Sequence, residues 1–200
     1  MKFILASGSP RRRELLSSIG LTFEVMPSDI PEIHQPGESP EEYVARLSRG
    51  KAAVIATAHP DAWIIAADTT VLLGDELFEK PVDTDDAKRM LATISGKTHM
   101  VYTGVTVQNA ARGWNDTRVA ETEVRMLPLD ARDIAWYVSG IGAIFIDSIH
   151  GSYTNVVGLP LALLFQMLRR AGVDFVRESG VGSRAPELAD RADMLPPTYE

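Results

Sequence analysis

The periodicity of the chain changes part-way along, and that change limits its fold more than any single motif does. Up to about residue 94, short apolar runs alternate with stretches whose apolar residues recur at helical spacing. Beyond that point two long strand-like segments, about His99–Gln108 and Arg118–Met126, follow each other across a polar turn. Interleaved strands and helices favour parallel pairing through crossovers, whereas consecutive long strands favour antiparallel pairing. A chain with both signals is expected to form an α/β (mixed α+β) domain around a mixed sheet flanked by helices.

Local signals place the elements. Phe3, Ile4 and Leu5 read as a short buried strand. Ser9 suits an N-cap and Pro10 the first helical position, which predicts a helix over Pro10–Ile19 stopped by Gly20. Thr22–Met26 reads as a strand and Pro27–Gly37 as a loop holding Asp29 and Glu32. Ser39, Pro40 and Glu42 form a capping box that opens a second helix, running to about Ala58. Trp63–Ala67 and Thr70–Leu73 read as strands, and Gly74-Asp75 as a turn into Leu77-Phe78. Thr84 is expected to cap a third helix with Ala87, Met90, Leu91 and Ile94 on one face. Asp130–Val138 reads as a short helix, Ala143–Ile149 as a strand, and Leu159–Ala171 as a last helix closed by Gly172. Residues 1–176 are expected to form a single domain. Residues 177–200 are net acidic, hold Pro186, Pro196 and Pro197, and carry few large apolar residues, which predicts a disordered tail.

Charge and composition narrow the function. The formal net charge is −7, which argues against bulk binding to a nucleic acid polymer. The absence of cysteine excludes disulfides, thiol catalysis and Cys-ligated zinc. The most apolar runs, around Trp63–Leu73 and Leu159–Leu168, are too short to span a membrane. A soluble, cytoplasmic protein is the expectation.

Against this acidic background, SGSPRRR at residues 7–13 stands out. Arg11, Arg12 and Arg13 fall in the first turn of the first helix, where the helix dipole already places positive charge. Backbone N–H groups, dipole and guanidinium groups would then converge, as they do at an anion site, and a polyphosphate would neutralise several of them at once. The competing reading is a solvated surface cluster. Lys51 lies between Leu47 and Val54 on the apolar stripe of the second helix, either snorkelling outward or serving a buried anion. Asp68 sits in AWIIAADTTVLL, where an ionised carboxylate is costly unless paired or metal-bound. Its expected place is the end of a buried strand, a common location for chemistry in α/β folds. Glu79-Lys80-Pro81 follows as a loop between a strand and a helix. SGKTH at 95–99 imitates a P-loop, but position 91 is Leu and the order is helix then strand, so a Walker A site is rejected. His99 reads as a structural or substrate-contact histidine.

Taken together, ASGSPRRRELL, IPE at 30–32, the Glu42–Lys51 helix, AADTTV at 66–71, EKP at 79–81, SGKTHMVYTGV at 95–105 and GSYTNVVGLPL at 151–161 resemble the Maf family of nucleotide pyrophosphatases. The motifs keep the family order over most of residues 2–172. The resemblance implies an ITPase-like mixed α/β fold with a deep cleft, a homodimer, and hydrolysis of a nucleoside triphosphate to monophosphate and pyrophosphate. It also implies a divalent cation, Mg²⁺ or Mn²⁺. SGKTHMVYTG resembles the dTTP/UTP branch. By the same resemblance Asp68 is the general base and, with Glu32, lies close to the metal. Ser7, Arg11, Arg12, Lys51 and Lys80 surround the phosphates, Lys80 among the catalytic groups, and Arg11 and Thr69 bear on base selection. One departure stands out. Family members carry a segment like DKAGAYGIQG after the 130–138 helix, whereas here Ser139-Gly140 runs directly into Ile141-Gly142. If that deletion disables catalysis, the alternative is a nucleotide-binding regulator linked to cell division or septum formation.

Overall fold

The computed structural model describes residues 1–138 and 143–174. The elements run β1 (Phe3–Leu5), α1 (Pro10–Ser18), β2 (Glu24–Val25), α2 (Pro40–Ala58), β3 (Trp63–Leu73), β4 (Glu76–Phe78), α3 (Thr84–Ile94), β5 (Thr98–Asn109), β6 (Trp114–Met126) and α4 (Ala131–Val138). A 3₁₀ turn at Ala143–Phe145 leads into β7 (Ile146–His150), and α5 (Tyr153–Val157) and α6 (Leu161–Arg170) follow. The sheet is mixed, in the order β2-β1-β3-β5-β6-β7, with β4 paired to β3. β1 lies parallel to β2 and β3, and the remaining pairs are antiparallel. The mixed α/β architecture is therefore the one the two periodicities call for.

The alternation of side chains along β3 sorts the core. Trp63, Ile65 and Ala67 join Phe3, Leu5, Leu16, Leu164 and Met167 on the side of α1 and α6. Ile64 and Ala66 join Ile4, Ala52, Ile55 and Ala56 on the side of α2. A strand buried on both faces has no polar face to show, which explains the unbroken apolar run from Trp63 to Ala67. α2 packs closely because Gly104 on β5 has no side chain. A Cβ there would overlap the Val44 carbonyl.

Several expectations are corrected. Trp63–Leu73 is one strand, so Asp68 lies within β3 and not at a strand end. The reason is β5, which pairs with every residue from Ile64 to Leu72 and carries the strand past Asp68. Asp83, not Thr84, caps α3, its side chain accepting from the Asp86 N–H. Val54 is 49% exposed, so the buried stripe of α2 runs instead through Val44, Leu47, Ser48, Lys51, Ala52 and Ile55. The strand expected over Thr22–Met26 shrinks to two residues because only β1 pairs with it, and over two positions. The Ala143–Ile149 strand begins as a 3₁₀ turn, and α5 was not foreseen. The expected tail at 177–200 and the shortened segment at 139–142 lie outside the described residues.

Candidate active site

The site originates in a gap along one edge of β3. On that edge β1 pairs with Trp63–Ile65 and β4 with Val71–Leu73, while β5 occupies the other edge throughout. Residues 66–70 therefore have no strand beside them on the β1/β4 edge. β1 leaves the sheet after Leu5 to enter the Ser7–Ser9 loop, and that departure opens the gap. A cleft of about 230 Å³ lies there, lined by Asp68, Thr69 and Thr70 of β3, Glu79 and Lys80 after β4, and Glu32 and Tyr43.

Asp68 points to the α2 side. Lys51, on the buried stripe of α2, donates to Asp68 Oδ1 at 2.5 Å and lies 2.5 Å from Glu32 Oε1. Lys51 thus serves a buried anion, and of its two sequence readings this is the one realised. Burial pushes the Asp68 carboxyl above the ordinary carboxylate range; Lys51 and Arg12 pull it back, and Glu32 adds to the rise. A carboxylate so placed is a better proton acceptor than one in water.

Thr69 points to the opposite side, where Arg12 is anchored. Ser9 caps α1 as expected, accepting from the Arg12 N–H, with Pro10 in the first turn. The Arg12 guanidinium donates to the carbonyls of Gly158 (2.8 Å) and Ala67 (2.8 Å) and to the hydroxyls of Ser7 (3.2 Å) and Thr69 (3.0 Å). Those acceptors answer, in part, how a helix N-terminus tolerates clustered arginines. Burial lowers the affinity of Arg12 for its proton, and Asp68 and Glu32 oppose that effect. Gly158 adopts φ +116, and a Cβ there would lie 3.5 Å from Thr69 Oγ1 and 3.6 Å from Arg12 Nε. Thr69 Oγ1 also lies 2.9 Å from Thr103 Oγ1, which donates to the Asn155 carbonyl at 3.3 Å. Since the Thr103 proton goes to Asn155, the Thr69 hydroxyl is the donor between the two threonines.

Of the residues singled out from sequence, Ser7, Arg12, Glu32, Lys51, Asp68 and Thr69 come together around this segment of β3. Lys80 lines the cleft from the other side. Arg11 and Arg13 are exposed on the first turn of α1. His99 is buried, with Nδ1 unpartnered, and belongs to β5 rather than to the cleft lining. Sequence reasoning gave no role to Tyr43, or to Glu79 of the EKP segment. The Tyr43 hydroxyl donates to Glu79 Oε1 at 2.6 Å and contacts the Glu32 carbonyl at 3.3 Å. Burial and Glu79 both push the Tyr43 phenol well above its ordinary range. The missed signal was a tyrosine on the core stripe of α2, whose hydroxyl had to find a partner when buried.

The Maf family, described as Maf-like protein, matches residues 2–171. The chain is a member of the Maf family. It is 44% identical over 184 residues to the dTTP/UTP pyrophosphatase of Myxococcus xanthus, covering 85% of this chain and 92% of that one. It is 41% identical over 185 residues to the dTTP/UTP pyrophosphatase of Syntrophus aciditrophicus, covering 86% and 90%. Both alignments run over more positions than this chain contributes to them, so these relatives hold residues that it lacks. Among solved structures, the Staphylococcus aureus Ham1 protein overlaps 63% of this chain and 72% of its own length, at 12% identity and a TM-score of 0.44. That overlap is too partial to inform the site.

Proposed function

We propose that this Maf protein hydrolyses a nucleoside triphosphate, dTTP or UTP, to the monophosphate and pyrophosphate with the help of a divalent cation. The observation that carries the reading is the placement of Asp68: a buried carboxylate with a raised proton affinity, on a strand edge left open by its neighbours, beside a cleft containing lysine. The relatives named dTTP/UTP pyrophosphatase supply the substrate class.

In this reading Asp68 orients the attacking water and accepts its proton. Lys80, and Lys51 once it meets substrate, stabilise the charge that develops on the departing pyrophosphate. Ser7, Arg12 and Thr69 form the other wall of the site, which positions phosphates and base, and Arg11, exposed on the first turn of α1, is assigned a phosphate and base contact by the family resemblance alone. Asp68 and Glu32 suit Mg²⁺ or Mn²⁺, because two hard carboxylate oxygens already converge on one positive charge and such ions keep waters and phosphate oxygens in their remaining positions. When bound, the cation neutralises phosphate charge and polarises the phosphoryl group. Glu32 and Asp68 are the residues that would hold it.

The wider setting belongs to the same reading: a single domain over residues 1–176, a cytoplasmic homodimer, and removal of unwanted pyrimidine nucleotides. Among the described residues no helix is long and apolar enough to cross a membrane. A second reading, nucleotide binding without turnover, draws on the positions this chain lacks beside its relatives. Incubation with dTTP or UTP plus Mg²⁺ or Mn²⁺ decides between them. Pyrophosphate with monophosphate supports hydrolysis, orthophosphate rejects the pyrophosphatase reading, and bound but unchanged nucleotide supports the second reading.

A further inference from the structure

Lys51 occupies an unusual place. Its Nζ lies 2.5 Å from an oxygen of Asp68 on β3 and 2.5 Å from an oxygen of Glu32 on the loop before α2. The two oxygens are therefore within about 5 Å of each other, a spacing that small side-chain movements could narrow around a metal that takes oxygen ligands at about 2.1 Å. The lysine and Asp68 side chains are 8% and 10% exposed, whereas Glu32 is 46% exposed, so the cluster opens to solvent on the Glu32 side. Charge repulsion prevents an ammonium and a divalent ion from sharing this space in a weakly screened site.

We propose that Lys51 is the resident cation of the Asp68–Glu32 pair, and that a divalent cation binds there only by displacing its ammonium. This deepens the metal-assisted reading and rests on it for the identity of the incoming ion. Without Lys51 the two carboxylates would repel each other across the open cleft, so the lysine keeps them together until the ion arrives. Once displaced, the ammonium needs a new anionic partner, and nucleotide phosphates provide one. Metal alone then binds weakly, and metal with nucleotide binds with positive coupling, since each relieves a cost imposed by the other. Lys51 thereby has two successive tasks: first holding the carboxylates in place, then contacting substrate.

The test is titration of the full-length protein with Mn²⁺ alone, reading free Mn²⁺ by electron paramagnetic resonance, for wild type and Lys51→Met. Removing the competing ammonium is expected to tighten Mn²⁺ binding about fivefold, the upper end of what one modest ion pair is worth, although turnover falls. Equal or weaker Mn²⁺ binding by a folded Lys51→Met overturns the proposal. A parallel measurement on wild type needs no variant. Acylation of Lys51, followed by peptide mass spectrometry, should speed up several-fold when Mg²⁺ alone is raised to saturation; an unchanged rate overturns the proposal even if Lys51→Met does not fold. Both readouts are separate from hydrolysis. Wild type that releases pyrophosphate from dTTP while failing these tests removes the displacement step alone, and wild type that releases none removes the functional reading.

Discussion

The two sides of β3 hold charge in different ways. On the α2 side, Asp68 is held by Lys51, which it shares with a half-exposed Glu32. On the opposite side, Arg12 donates to four protein acceptors drawn from the Ser7 loop, β3 and the α5–α6 junction. The first arrangement contains charges whose partners can be exchanged. The second is nearly complete, because a guanidinium has five N–H donors and four of these contacts are already made. A site needs both: exchangeable charge to meet a ligand, and a fixed wall against which the ligand is positioned.

The largest expected effect strikes the exchangeable side. Asp68→Asn should lower turnover of dTTP by about 10³-fold, within the range attributed to a positioned general base, while nucleotide affinity measured by equilibrium binding changes only a few-fold. Full activity would remove Asp68 from the chemistry. On the fixed side, Arg12→Ala strips donors from the buried Ala67 and Gly158 carbonyls, and should cost about 2–4 kcal/mol in denaturant unfolding. Arg12→Lys should recover little of that loss, since an ammonium cannot reach acceptors on three segments at once. The salt dependence of KM sharpens the contrast. Weak dependence in wild type and its loss in Arg12→Ala would assign that arginine a phosphate contact as well as its structural one.

A smaller effect is expected where the two sides are joined to the helices. Gly104→Ala would press on the Val44 carbonyl and lift α2, which carries Lys51, at a cost of about 1–3 kcal/mol in thermal unfolding. Turnover should fall further than stability alone accounts for, because Lys51 moves with its helix. The smallest effect belongs to His99, away from the cleft. Burial holds its imidazole below the ordinary value of 6.5, so the folded state resists protonation that the unfolded chain accepts. Stability should therefore be fully present above about pH 6.5 and decline as pH falls through the range between the unfolded and folded values. His99→Gln should flatten that decline in a pH series of unfolding midpoints.

Much of this was legible in the residues. The caps at Ser9 and Ser39 are where serine and proline place them, because capping is chemistry within one turn of chain. Lys51 and Asp68 stood out because a charge among apolar neighbours needs an explanation. The helix N-cap at Asp83 was displaced by one residue from its expected position at Thr84, since two adjacent residues both had suitable side chains. Val54 fell off the buried stripe of α2 because a helix turns by 3.6 residues, and the choice among neighbouring stripes is made by the sheet beneath it.

The sequence alone determined most of the helices and strands, though not α5, that the sheet would be mixed, and which few charged residues sat where charge is costly. Each of these follows from periodicity, local capping or the desolvation of one side chain. Tertiary structure decided the rest. Only strand pairing shows that the partnership of β1 with β3 ends at Ile65 and that of β4 begins at Val71, leaving residues 66–70 with an open edge. Only packing shows that Lys51 reaches both Asp68 and Glu32, that Tyr43 joins Glu79, and that Arg12 closes on Gly158, 146 residues away. Contacts between distant segments leave no local signal, because a hydrogen-bond partner is chosen by where the backbone returns in space.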